Sequence, residues 1–139
     1  RNKAINIHMG LSPFYRGTDC NFWALMDNNF MHVGSTIHYL SDGLDNGDII
    51  YHALPKYFEN PFLFTMSSVK SAIDSLVLKI NDKSIVNKKG TKQDKKLEIK
   101  NSKISSFTDH NIQKFYQKKI IIKKFNYDKK LLVDPYFLM

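Results

Sequence analysis

The chain has 139 residues and a formal net charge of +8, with 21 lysine and arginine residues against 13 aspartate and glutamate residues. Hydrophobic residues make up 42% of the chain and aromatic residues 13%, which argues against a wholly disordered protein. No apolar run approaches the ~18–20 residues of a membrane span, and a single cysteine excludes an internal disulfide. We therefore expect one globular domain in a reducing cytoplasmic compartment, with no membrane as a partner.

The first forty residues predict two short strands and one short helix. Residues 4–8 alternate apolar and polar side chains, which is typical of a strand, whereas residues 10–17 hold two glycines and a proline and predict a loop. Thr18 or Asp19 can cap a helix over residues 21–27. Residues 33–40 are rich in β-branched and aromatic side chains and predict the second strand.

The next segment predicts a strand followed by the longest helix. Residues 48–54 form the third predicted strand, after a loop with Asp-Gly and Asn-Gly turn signals. Asn60 followed by Pro61 is a typical helix start. Apolar residues then recur at steps of three and four, and we expect this stripe to pack on the sheet. Its members are Phe62, Met66, Val69, Ile73, Leu76 and Ile80.

The positive charge belongs to the second part of the chain. Residues 1–60 hold four basic and six acidic residues, a net charge of −2, whereas residues 61–139 hold 17 lysines and seven acidic residues, a net charge of +10. Such a stretch either neutralises nucleic-acid phosphates or forms a solvated face. Lysine outnumbers arginine 19 to 2, which favours the solvated face. Residues 81–101 predict exposed loops or short edge strands, and a helix is expected around residues 109–117.

Three polar residues form the candidate chemical site. Asn6 and His8 project from the same face at the end of the first strand, because side chains two residues apart share a face. An amide donor and an imidazole aimed at one point can hold a carbonyl oxygen and move a proton. Asp45 lies on a loop that can bring a carboxylate to the imidazole and orient it. From these residues alone, a catalytic and a structural role both stay open.

Five short motifs resemble the 10-formyltetrahydrofolate-dependent formyltransferase family, which includes the methionyl-tRNA, glycinamide ribonucleotide and nucleotide-sugar N-formyltransferases. They occur in family order between residues 4 and 54: Asn6-Ile-His8, Leu11-Ser-Pro13, Tyr15-Arg-Gly17, Gly34-Ser-Thr-Ile-His38 and Asp42-Gly-Leu-Asp45. The resemblance implies an α/β fold, the C-terminal half of a Rossmann-like domain with a mixed, mainly parallel sheet and flanking helices. It also implies that the N-terminal half of that domain lies outside this sequence.

The resemblance further divides the chain into two parts. Residues 1–81 correspond to the C-terminal half of the formyltransferase catalytic domain. Residues 82–139 then form a lysine-rich extension with an aromatic tail, partly irregular.

The same resemblance implies roles for individual residues. Asn6, His8 and Asp45 would be catalytic, and no metal is required. Asp42, Gly43 and Leu44 would line the site of the folate donor, and Gly10, Arg16 and Trp23 would contact the acceptor. Arg16 either holds an acceptor phosphate or closes the loop through its carbonyl groups, and Trp23 is as well explained by the core. His38 is expected to be structural, and Cys20 is not expected to be a nucleophile without a base beside it.

The implied function is formyl transfer from 10-formyltetrahydrofolate to a primary amine, that of a nucleotide-linked amino sugar in the favoured interpretation. Methionyl-tRNA or glycinamide ribonucleotide are alternative acceptors, and nucleic acid is a partner only if the acceptor is tRNA. A biosynthetic, cytoplasmic enzyme is expected, and a homodimer is left open. An alternative of another class is an inactive fragment that acts as a binding or interaction module.

Overall fold

The computed structural model describes residues 3–139. It contains six short strands, three α-helices and four single 3-10 turns. The strands are β1 (Ile5–His8), β2 (Tyr15–Gly17), β3 (Ser35–Tyr39), β4 (Ile49–Leu54), β5 (Lys100–Ser102) and β6 (Tyr136–Phe137). The helices are α1 (Cys20–Met26), α2 (Pro61–Asn81) and α3 (Asp109–Lys118), and none of those in residues 3–139 is long and apolar enough to cross a membrane.

The central element is a four-stranded mixed sheet with the order β1-β3-β4-β6. β1 pairs antiparallel with β3, β3 pairs antiparallel with β4, and β4 pairs parallel with β6. The α/β class and the mixed sheet are thus confirmed. Within this sheet, however, parallel pairs do not predominate, because β3 and β4 are joined by a single loop that returns the chain alongside itself. β2 and β5 form a separate parallel pair. β2 lies in a segment predicted as loop, whereas β5 lies at the end of the segment predicted as exposed loops or short edge strands.

The predicted helices are found close to their expected bounds. Asn60 caps α2, since its side chain accepts a hydrogen bond from the backbone N–H of Leu63 at 3.0 Å. Thr108 caps α3 in the same way through Asn111. Asp19 occupies the N-cap position of α1 but makes no side-chain capping bond there.

The expected orientation of α2 is wrong. Its inner face is built from small residues (Ser67, Ser68, Ser71, Ala72 and Ser75), all buried, with Phe64 at one end. Most of the predicted apolar stripe faces outward instead: four of its side chains (Phe62, Met66, Ile73 and Ile80) are between 46 and 68% exposed, and only Leu76 packs against the apolar cluster of the sheet. Small residues let the helix approach the sheet closely, and hydroxyl groups bridge the two. Ser35 bonds Ser68 at 2.8 Å, and the hydroxyl of Tyr51 bonds Ser75 at 2.9 Å.

The lysine-rich segment packs against the rest of the chain. Ile122 is fully buried in an apolar cluster with Leu11, Trp23 and Phe64. The last strand, β6, completes the sheet beside β4. The segment therefore supplies part of the core as well as most of the surface charge.

Candidate active site

The two faces of the sheet carry different side chains. Ile5 and Ile7 of β1 and Ile37 of β3 face α2, since they belong to the apolar cluster under that helix. The alternate residues of the same strands, including Asn6 and His8, face the other way. Because β1 and β3 pair in register, Asn6 lies directly opposite His38. The sheet thus gathers an amide and two imidazoles on the face away from α2.

Asp45 joins this group from the loop between β3 and β4. One carboxylate oxygen lies 3.3 Å from Nδ1 of His8, and the other accepts a hydrogen bond from Nδ2 of Asn6 at 3.1 Å. That second oxygen is also 3.4 Å from Nε2 of His38. The structure therefore brings together all three residues predicted as catalytic. Their catalytic role stays a prediction.

His8 is held between groups that favour its charged form. Only 6% of its side chain is exposed. Burial disfavours the imidazolium, but the hydrogen bond to Asp45, together with the Cys20 side chain, more than offsets this and raises the pKa of His8 to about 10. Its second nitrogen, Nε2, lies 3.4 Å from the carbonyl oxygen of Tyr15. Acceptors at both nitrogens fit a doubly protonated ring.

The pKa of the partner carboxylate, Asp45, is shifted in the opposite direction. The hydrogen bond from His8 lowers the pKa of Asp45 below its ordinary value, against a smaller opposing effect of burial. His52, buried on the same face of the sheet without a carboxylate partner, behaves in the opposite way. Burial lowers the pKa of His52 to about 4. The difference between the two histidines therefore follows from Asp45 and not from burial alone.

His38 was not predicted as part of the site, yet it belongs to this network. It is 1% exposed, its Nδ1 lies 2.9 Å from the carbonyl of Tyr39, and its Nε2 lies 3.4 Å from Nδ2 of Asn6. A proton on Nδ1 satisfies the carbonyl and leaves Nε2 free to accept from the amide. The signal that could have found it is the cross-strand position opposite Asn6.

Cys20 also differs from expectation, because an imidazole does lie beside it. Its Sγ is 3.5 Å from Nε2 of His8 and 3.5 Å from the carbonyl of Gly17. Gly10 makes this approach feasible, since a Cβ there would lie 2.7 Å from Nε2 of His8 and 2.5 Å from the Cβ of Cys20. Gly10 thus borders the site, and its lack of a side chain leaves room for Cys20 to approach His8.

A largely apolar cavity of about 780 Å³ is lined by Cys20, which contacts Nε2 of His8, whereas Asn6, His8 and Asp45 do not line it. Met9, which follows His8 in the chain, and Cys20 line it on the side of the site. Its far wall is aromatic and lies partly on the lysine-rich segment: Phe22, Phe62, Phe107, Phe115 and Tyr116. Sequence reasoning missed this wall, because its members come from α1, α2, α3 and the turn before α3 and share no motif.

The other predicted binding residues lie in different places. Asp42 and Gly43 line a second cavity of about 520 Å³ at the loop after β3, whereas Leu44 beside them is 79% exposed. Arg16 pairs with Glu98 at 3.2 Å, across the β2–β5 pair. Trp23 is 8% exposed within the core and does not line the large cavity. A contact of Arg16 or Trp23 with an acceptor stays a prediction.

The chain is similar to known proteins in sequence and in structure. Residues 1–67 match the family model described as "Formyl transferase". Over 90 residues the chain is 34% identical to the methionyl-tRNA formyltransferase of Caldicellulosiruptor saccharolyticus, covering 65% of this chain and 29% of that protein.

Two solved structures extend the likeness to the fold. The formyltransferase PseJ from Anoxybacillus kamchatkensis, in complex with UDP-4,6-dideoxy-4-formamido-L-AltNAc and tetrahydrofolate, matches with a TM-score of 0.61 and 27% identity. A 4-N formyltransferase from Francisella tularensis matches with a TM-score of 0.59 and 28% identity. The matches cover 74 and 76% of this chain, and 53 and 43% of the two relatives. The chain thus spans about half the length of these relatives or less.

Proposed function

We propose that the chain, whose residues 1–67 match the formyl transferase family model, is a formyltransferase that transfers a formyl group from 10-formyltetrahydrofolate to a primary amine on a nucleotide-linked amino sugar. The observation that carries the proposal is the buried His8–Asp45 pair, joined by Asn6, beside a cavity large enough for an acceptor. The donor supplies an activated formyl group. No side chain has to act as a nucleophile, because the acceptor amine attacks the formyl carbon.

The residues of this chain supply electrostatic stabilisation and proton movement. A protonated His8 and the amide of Asn6 can hold the formyl oxygen as negative charge develops on it. Asp45 keeps His8 charged and fixes the orientation of its ring. The attacking amine loses a proton and the departing folate nitrogen gains one, and the His8–Asp45 pair is suited to assist both transfers. The network of one amide, one imidazolium and one carboxylate fits the chemistry of a carbonyl group.

The donor has a candidate site on the loop between β3 and β4. Asp42 and Gly43 line the smaller cavity, which lies on the same loop as Asp45. Binding of the folate at Asp42, Gly43 and Leu44 is part of the proposal.

The large cavity supports a nucleotide-linked acceptor. Its aromatic wall offers ring faces for a base, and Lys119 on its rim offers a cation for phosphate. The two solved relatives are a sugar-nucleotide complex and a 4-N formyltransferase. A second acceptor, methionyl-tRNA, is favoured by the relative from Caldicellulosiruptor and by the net charge of +10 over residues 61–139.

An acceptor screen tests the proposal. The full-length protein is incubated with 10-formyltetrahydrofolate and, separately, a UDP-linked 4-amino sugar, methionyl-tRNA or glycinamide ribonucleotide, and each acceptor is analysed by mass spectrometry. We expect formylation of the amino sugar, and none by the His8→Ala variant. Formylation of methionyl-tRNA alone would mean that methionyl-tRNA, and not the amino sugar, is the acceptor. Binding of both ligands by calorimetry without any transfer would contradict catalysis and support a binding module.

A variant at the aromatic wall tests the cavity itself. Tyr116 lines the cavity and is 74% exposed, so its replacement should leave the fold intact. We expect Tyr116→Ala to weaken binding of the UDP-sugar by about 1–3 kcal/mol, the usual contribution of one stacked base. The exposed Gln117 next to it does not line the cavity, and Gln117→Ala is the matched control.

A further inference from the structure

The loop that carries Asp45 is exposed, and the hydrogen bonds within it join Ser41 to Asn46 and to the carbonyl of Gly43, and do not reach the backbone of Asp45. Ser41, Asp42, Gly43 and Leu44 are all exposed, and Asp45 has a φ of 49°, in the left-handed region that few residues other than glycine adopt. The carboxylate nevertheless has to meet His8 within hydrogen-bonding distance. Something outside the loop must therefore hold its backbone in place.

That support comes from residues 88–93, which we call the clasp. Gln93 donates both hydrogens of its side-chain amide to the loop, from Nε2 to the carbonyl of Asp45 at 2.9 Å and to the carbonyl of Gly47 at 2.8 Å. These two bonds fix the backbone on either side of Asn46. They act on the peptide groups and leave the carboxylate of Asp45 free for His8 and Asn6.

Three further contacts anchor the clasp to the flanking strands. Thr91 exchanges a pair of backbone hydrogen bonds with Ile49, at 2.7 and 2.8 Å. The hydroxyl of Tyr39 donates to the carbonyl of Lys88. Gly90 packs so closely on Asp48 that a Cβ would lie 2.5 Å from the Cβ of that residue. The clasp is thus tied to the end of β3 and the start of β4, on both sides of the loop.

We propose that Gln93 is a positioning residue for Asp45, and that the clasp sets the distance between the carboxylate and His8. Gln93 lies in the lysine-rich segment, beyond residues 1–67 that match the family model. The role in transfer rests on the proposed function, whereas the effect on the His8–Asp45 pair does not. Without the amide of Gln93, the two carbonyl groups lose their donor and the loop moves away from the sheet.

The test compares Gln93→Met, which keeps the approximate length of the side chain but removes the donor, with Gln117→Met on the exposed surface of α3. The readouts that need no catalysis are the pKa of His8 by NMR titration of its imidazole, and amide hydrogen exchange over residues 43–48. We expect the pKa of His8 to fall by about one pH unit or more and exchange to rise about tenfold in Gln93→Met only. With the acceptor that the screen shows to be formylated, we also expect kcat of Gln93→Met to fall about 10- to 100-fold while KM for that acceptor stays unchanged.

Each outcome separates the two proposals. An unchanged His8 titration and unchanged exchange in Gln93→Met overturn the clasp, whatever the wild-type protein catalyses. A lowered pKa of His8 together with no transfer by the wild-type protein supports the clasp and counts against formyl transfer. A second variant, Gln93→Glu, places an acceptor where a donor is needed and should change both readouts further.

Discussion

Both faces of the central sheet bury polar groups, but the groups on the two faces differ in charge. Toward α2 the polar groups are hydroxyls in neutral pairs, Ser35 with Ser68 and Tyr51 with Ser75. On the opposite face they are ionisable, with His8 charged beside Asp45. In a neutral pair, each hydroxyl satisfies the hydrogen-bonding requirement of the other and the pair stabilises packing. A buried charged pair also produces an electric field that can act on a ligand. The first face holds the helix in place, and the second provides the chemistry.

The largest expected difference between the faces is in activity. His8→Ala should reduce formyl transfer by about 10²–10⁴-fold, the usual contribution of a general acid–base residue, while the far-ultraviolet circular dichroism stays that of the wild type. Ser75→Ala, on the helix face, should leave kcat of the folded protein unchanged. Transfer rates near wild type in His8→Ala would remove the distinction between the faces.

The pH dependence of stability is the next test. The pKa of His8 is raised, so its contribution is complete below its unfolded pKa of about 6.5 and is lost as the pH rises through about 10. The lowered pKa of Asp45 makes its contribution complete above its unfolded value and lost as the pH falls below it. Asp45→Asn should therefore destabilise the protein most between pH 5 and 6, on the order of 3 kcal/mol. Urea unfolding of both proteins from pH 5 to 10 measures this. A difference that grows toward pH 10 would contradict the charged pair.

Close packing on the helix face gives the third prediction. Ser68 is fully buried between α2 and the sheet, so Ser68→Leu forces the helix outward and should cost about 1–3 kcal/mol of unfolding free energy. Ser84 is exposed beyond the end of α2, and Ser84→Leu serves as the control with no expected loss. Equal stability of the two variants, by urea unfolding, would mean that the serine face is not the contact surface.

A smaller loss is expected from a single hydroxyl. Ser75→Ala leaves the buried hydroxyl of Tyr51 without its partner and should destabilise the protein by about 1–2 kcal/mol. Replacing the exposed Ser105 by alanine should change the unfolding free energy much less. Thermal unfolding followed by circular dichroism distinguishes them.

The outward stripe of α2 should give the smallest change of all. Ile73 is 50% exposed, and Ile73→Gln should alter the unfolding free energy by no more than about 0.5 kcal/mol. Ala72, the preceding residue, is fully buried, and Ala72→Gln should be strongly destabilising. A large effect at Ile73 and none at Ala72 would reverse the assignment of the two faces of the helix.

Local sequence patterns predicted the positions of helices and strands better than they predicted which parts of the chain pack against them. The pair Asn60-Pro61 gave the start of α2, and the spacing of Asn6 and His8 gave their shared face. The orientation of α2 was missed because its serines recur with the same helical period as its apolar residues, so periodicity alone does not say which face is buried. The loop composition made Asp45 a candidate partner for His8, and the family resemblance gave it an expected catalytic role.

Contacts between distant segments were out of reach of the sequence. His38 enters the site through its register with Asn6, which depends on how β1 and β3 pair. Gln93 reaches the Asp45 loop from a lysine-rich stretch with no periodicity, and its partners are backbone carbonyls that carry no sequence signal. Cys20 and His8 come into contact because Gly10 has no side chain. The sequence shows that a glycine is present but not which two residues it allows to meet.

The position of β6 has a consequence for the order in which the chain folds. Ala53 and Leu54 of β4 pair with Tyr136 and Phe137, and Val133 exchanges hydrogen bonds with His52, in the middle of that strand. During synthesis, Thr91 can cover the start of β4, but the second edge of its C-terminal half stays without a partner until residues 133–137 are made. Contacts of such long sequence separation slow folding. We expect the edge of β4 at Ala53 and Leu54 to be covered only after residues 133–137 leave the ribosome, so that a ribosome-bound chain first exposes part of its most buried strand.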